Sequence, residues 1–175
     1  MLQIILISIG GLIGLFLLIA LLTKKTFFIV STIMINRPKT DVFEYVKHLK
    51  NQEKYSKWVM TDPNVELTYT GEDGTVGFVA AWKSEMKNVG IGEHEIKSIV
   101  EGERYDVEIR FKKPFEGISQ AFTTVETVLE NQTKITTTFT SRTPFPMNLM
   151  TAMMCKMLQR DMDQNSANLK AILEK

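Results

Sequence analysis

The chain is poor in the residues that build disulfide, redox and metal sites. Its 175 residues include one cysteine, Cys155, and two histidines, His48 and His94. One cysteine closes no internal disulfide and forms no CxxC pair, and two histidines fall short of a zinc ligand set. No metal or cofactor is expected. An unpaired thiol is compatible with a reducing compartment. An excess of one charge is missing too, with 21 Lys and Arg against 20 Asp and Glu. Net charge therefore favours neither nucleic acid nor an acidic partner, and no nucleic-acid partner is expected. A nucleophile elbow, a phosphate-cradling glycine loop and a carboxylate pair of clear spacing are also lacking. The Gly90-x-Gly92 pair lies inside a strand pattern and reads as a bend or bulge.

What is present begins with one long apolar run, LQIILISIGGLIGLFLLIALLT, from Leu2 to Thr23. As a helix it spans roughly 33 Å, which matches a hydrocarbon core of about 30 Å. A buried core helix would have a polar face, and a cleaved signal peptide would have a basic start, a shorter apolar stretch and a small-x-small site. The run has none of these. The expected division is a transmembrane anchor over 1–25 and one further domain over 26–175. Lys24 and Lys25 follow the run, and only the terminal amine precedes it. The positive-inside rule then places the domain in the cytoplasm, as a single-pass protein of the cell membrane. Gly10 and Gly14 form a GxxxG, the spacing that lets two membrane helices approach, so a homodimer through the anchor is one partner reading. Asn131-Gln132-Thr133 is a formal glycosylation acceptor but reads as a hairpin turn between two strands.

From Thr26 onward the pattern is that of one domain without internal repeats. FFIVSTIMIN (27–36) is β-branched and aromatic, hence a strand. DVFEYVKHLKN carries Val42, Phe43, Val46 and Leu49 at helical spacing, and NQEKYSKWV reads as a second short helix. Six strand-like runs follow: Val65–Thr70, Val76–Ser84, Val89–Val100, Tyr105–Lys112, Ser119–Leu129 and Lys134–Ser141. The turns GEDG, EGE, KPFEG and ENQT separate most of them, and such close spacing favours antiparallel hairpins. A long helix over Pro146–Glu174 closes the chain, opened by Pro144 and Pro146. The order is β-α-α-β6-α, an α+β fold. A curved antiparallel sheet of about seven strands needs its concave face filled, and the long helix is the element able to do it. One helix leaves room, so a cavity between helix and sheet is expected.

The stretches NRPKTDVFEYVKHLKNQEKYSKWV (36–59), GEDGTVGFVAAWKSE (71–85), VGIGEHEIKSIVEGERYDVEIRFKKPFEG (89–117) and PFPMNLM (144–150) carry a resemblance. Over about 27–174 the chain resembles the SRPBCC superfamily of START-like, helix-grip proteins, and within it the polyketide cyclase/dehydrase and lipid-transport group. The resemblance implies a helix-grip fold, with the sheet wrapped around the C-terminal helix. It implies less about function, because ligand carriers, cyclases, hydrolytic subfamilies and chaperone activators share this scaffold.

Half of the ten methionines fall in PFPMNLMTAMMCKML (144–158). Met147, Met150, Met154, Leu158 and Met162 form one stripe with Ser166, Leu169 and Leu173, which Met153 and Met157 widen in its first half. Three readings stand: gap-filling core, a soft wall for an apolar ligand, and contact with the membrane or the anchor. The broad first half favours a ligand wall made of Met147, Met150, Met153, Met154, Met157 and Leu158. Trp58, Trp82, Phe111 and Phe139 are the large aromatics expected to share it, with Phe115, Phe122 and Phe145 as further large aromatics. His94 shares strand parity with Gly90, Gly92 and Ile96, so it points into the concavity if Ile96 does. There it would bind a ligand group or serve as a weak candidate for a catalytic base. Its neighbours Glu93 and Glu95 face solvent. Cys155 on a helix face is an inert thiol. The resulting reading is membrane-tethered binding of a hydrophobic or amphipathic, lipid-like small molecule. The alternatives are a polyketide cyclase or dehydratase and a chaperone-activator-like regulator of proteins.

Overall fold

The computed structural model describes residues 1–175, except the side chain of Leu2. The apolar run forms helix α1 (Leu2–Leu22), and three residues separate it from β1 (Thr26–Ile35). Next come α2 (Lys39–Lys47), a 3-10 turn over Leu49–Lys54 and α3 (Lys57–Thr61). Six strands follow: β2 (Glu66–Thr70), β3 (Val79–Lys83), β4 (Ile91–Val100), β5 (Arg104–Lys113), β6 (Gly117–Leu129) and β7 (Gln132–Arg142). A 3-10 turn over Met147–Met150 leads into α4 (Thr151–Leu173). The strands make one antiparallel sheet in the order β1-β7-β6-β5-β4-β3-β2. This is the α+β helix-grip architecture read from the sequence.

Three elements differ from that reading, one of them the long helix, which begins at Thr151 after the 3-10 turn and not at Pro146. The single helix expected over NQEKYSKWV is split, because the buried pair Tyr55 and Ser56 leaves helical geometry between the 3-10 turn and α3. The strand expected from Val76 begins at Val79. Gly77 there has a φ of +89° and its N–H donates to the Ile96 carbonyl, which turns the chain into the sheet.

The alternation in β1 shows how the sheet acquires two faces. Phe27, Ile29, Ser31 and Ile35 are buried, Ile33 packs on the core in the same phase, and the alternate residues point outward. Register carries this inner face across the sheet through Ile135, Val125, Val107, Ile96 and Ala80. At the end of the sheet far from α1, α2 covers it with Val42, Phe43 and Val46, and Phe78, Ile96, Val125 and Ile135 are all buried in one core with them.

Helix α4 lies along the inner side of β1. Gln159 Nε2 donates to the Val30 carbonyl at 2.9 Å, Ser31 Oγ to Asp163 Oδ1 at 2.8 Å, and Lys170 Nζ to the Met34 carbonyl at 2.7 Å. On its other flank Lys57 pairs with Asp161, and the Lys57 N–H donates to Asn165 Oδ1 at 2.7 Å. These pairs advance together, so α4 runs in the direction of β1 and its first half lies toward α1.

Candidate functional site

The concave face is filled at one end and open at the other. Toward α2, Ile96, Tyr105, Val107, Val125 and Ile135 are buried. Toward α1, the inward-facing Trp82, His94, Ile109, Phe111, Ala121 and Phe139 stay half-buried, although their neighbours on the strands continue the same face. From this partial exposure we infer a hollow at the α1 end of the sheet.

One wall is built by β3, β4 and β5. Trp82 stands edge-on to His94 at 5.8 Å and to Phe111 at 5.9 Å, and its Nε1–H donates to the Val89 carbonyl at 3.2 Å. The indole lies over Gly92. A Cβ there would come within 2.4 Å of the ring and 2.8 Å of the Arg110 carbonyl oxygen, so only glycine lets the tryptophan lie flat on β4. The bulge between Ile91 and Gly92 and the φ of +69° at Gly90 make this the bend read from the sequence. The opposite wall joins Phe27, Ile29 and Met162 with Trp58, Phe139, Cys155 and Leu158, and Phe27 meets Phe139 at 6.3 Å.

His94 faces the hollow, paired in register with Ala80 and Ile109. Protein atoms enclose it, and this desolvation pushes its pKa down to about 4, against a weaker opposing pull from the Asp73 carboxylate. Its side chain nevertheless keeps part of its surface open. Nothing among the described residues hydrogen-bonds the ring. It is a neutral imidazole with one free donor and one free acceptor. The nearest hydroxyls in the same row across the sheet belong to Ser119 and Ser141, which bond each other at 2.8 Å.

The structure therefore brings Trp82, His94 and Phe111 together on one wall, and Trp58, Phe139 and Leu158 on the other. Met154 is half-buried, whereas Met147, Met150, Met153 and Met157 are exposed, Met153 by 64%. Burial raises the Cys155 thiol above its ordinary pKa, which keeps it protonated. Glu93 and Glu95 lie on the convex face as expected, but they are not free. Arg110 bonds Glu93 at 2.8 Å and both Glu95 and Glu108 at 2.7 Å. Sequence reasoning missed Ile109, Ala121 and Ser119, which counting alternate residues along β5 and β6 would have found. It also missed Asn148, whose only signal was an amide within an otherwise apolar turn.

The sequence profile of the polyketide cyclase / dehydrase and lipid transport family matches residues 27–174. The chain belongs to that family. No curated protein matches it by sequence. Among solved structures, a protein from Chromobacterium violaceum superposes with a TM-score of 0.62 at 13% identity, covering 85% of this chain and 97% of that one. Norcoclaurine synthase from Thalictrum flavum, in complex with dopamine and hydroxybenzaldehyde, gives 0.62 at 12% identity, covering 89% and 91%. The Aha1 dimer from Colwellia psychrerythraea gives 0.54 at 16% identity, covering 85% and 96%. At such identities the likeness is one of fold. Family membership places this chain among ligand-binding domains of the helix-grip type.

Proposed function

We propose that the protein binds a hydrophobic or amphipathic, lipid-like molecule in the hollow between sheet and α4, and that α1 tethers it to a membrane. The observation that carries this reading is the unfilled apolar end of the concave face. Aromatic and aliphatic side chains are left partly exposed there although a core exists to bury them elsewhere. Trp82, Phe111 and Phe139 supply contact area, Trp58, Met154 and Leu158 close the helix side, and His94 offers the single free polar handle. The remaining methionines, Met147, Met150, Met153 and Met157, rim the opening. The small molecules named with norcoclaurine synthase support a small ligand on this scaffold. The segment Gln3–Leu22 is long and apolar enough to cross a membrane, and Lys24 and Lys25 favour a cytoplasmic domain. Residues 1–25 are then the anchor and 26–175 the binding domain.

The test is lipid extraction and native mass spectrometry on residues 26–175 purified from the producing cell, which separates bound ligand from bulk membrane. One apolar molecule per chain is expected. An empty protein that takes up nothing from a lipid panel overturns the reading.

The second reading is a cyclase or dehydratase, favoured by the neutral, unpartnered imidazole of His94 facing an apolar hollow. In that case His94→Ala abolishes turnover and spares ligand binding. In a carrier the same change alters affinity alone.

A further inference from the structure

The joint between α1 and the domain is built rather than loose. A helix leaves its last four carbonyls without partners inside the helix. Here the domain supplies a partner to one of them and to the carbonyl of the capping residue. Asn148, fully buried in the turn before α4, donates from Nδ2 to the carbonyls of Ala20 at 2.7 Å and Thr23 at 2.9 Å. The Thr143 N–H donates to the Lys25 carbonyl at 2.8 Å. Ala20 is itself fully covered, although α1 is exposed over Gln3–Ile19 and at Leu21 and Leu22. Ala20 lies about 4.5 Å inside the end of the apolar segment at 1.5 Å per residue, so the methionine turn meets α1 below the level of the two lysines.

Around that joint the surface is apolar with a basic fringe. Phe115 is 66% exposed, Met153 64% and Met150 46%, and Phe145 and Met147 are exposed beside them. Register puts the β5–β6 hairpin that carries Phe115 at the same end of the sheet as Thr26 and Arg142. Lys24, Lys113 and Arg142 are exposed there as well, with one acid, Glu116, beside Phe115. Apolar side chains fringed by cations match the boundary of acyl chains and phosphates in a bilayer.

We propose that the Asn148 clamp seats the mouth of the hollow on the bilayer that α1 crosses, with Phe115, Phe145, Met147, Met150 and Met153 in its interface. This rests on the reading of α1 as a membrane span. A ligand then passes between lipid and hollow without crossing bulk water. The bilayer is the occupant because the clamp lies within the depth of the apolar helix and only three residues join that helix to β1.

The experiment uses the full chain in nanodiscs of phosphatidylcholine and phosphatidylglycerol. In a Cys155→Ser background, single spin labels are placed through Leu12→Cys, Phe115→Cys, Met150→Cys and Glu103→Cys, and collision with oxygen is compared with collision with a water-soluble nickel chelate. Labels at 12, 115 and 150 are expected to favour oxygen several-fold over the label at 103, which lies in the distant β4–β5 turn. A lipid signal at 12 with water signals at 115 and 150 overturns the seating and leaves the tether intact. A water signal at 12 overturns the tether, and the seating with it. Asn148→Leu removes both donors and also the side-chain oxygen, which has no partner in the fold. It is expected to shift the label at 115 toward water and leave the label at 12 unchanged. An unmoved label at 115 overturns the role of the clamp.

Discussion

His94 shows how much a single side chain can report. Its pKa falls to about 4 from an unfolded value near 6.5 because burial disfavours the imidazolium. Between those values the unfolded chain binds a proton that the folded one refuses, so stability falls as pH drops through that window and levels off below it. The full effect is on the order of 3 kcal/mol. The loss in melting temperature between pH 7 and pH 4.5 is therefore expected to shrink in His94→Gln. An unchanged loss would show that His94 is not desolvated in the hollow.

At the scale of elements, α4 uses methionine in two ways. Met162 is buried against Phe27 and Ile29, whereas Met153 is exposed. Met162→Ala is expected to cost about 2–4 kcal/mol in denaturant unfolding, and Met153→Ser to stay within about 0.5 kcal/mol. Strands β4 and β5 carry a second device. Arg110 gathers three carboxylates on the convex face, and Lys112 and Arg110 hold Glu93 below its ordinary pKa, as Arg110 and Lys97 do for Glu95. Those contributions are present at neutral pH and disappear as pH falls through the carboxylate range. Arg110→Gln leaves the three acids facing one another. A loss of about 1–2 kcal/mol is expected in low salt, and a smaller one when salt screens the repulsion.

For the molecule as a whole, the decisive feature is the uneven filling of the concave face. Ala121→Trp places a ring beside Phe139 and Val107, its register partners, where the filled core meets the open end. Ligand retention measured by extraction is expected to fall several-fold, with a smaller loss of melting temperature from crowding at the core edge. A retained ligand would place binding outside the hollow. The wild-type fold pays for an open apolar end in lost burial, which a bound lipid would restore.

The sequence by itself determined the order of elements, the antiparallel sheet, the apolar helix and the family. These follow from short-range patterns: alternation in β1, helical spacing of Val42, Phe43 and Val46, and turn residues between strands. It also put His94 in phase with Ile96 and grouped Trp82 and Phe111 with it as interior aromatics, because strand parity and bulk are local properties. Tertiary structure decided the rest. Which end of the sheet stays open depends on α2 covering one end and α4 running along β1. That arrangement sets how deeply His94 is enclosed and which methionines are left outside. The partnership of Asn148 with Ala20 and Thr23 joins residues 128 and 125 positions apart. No local pattern encodes it, because it exists only once the last helix has been brought back to the end of the first.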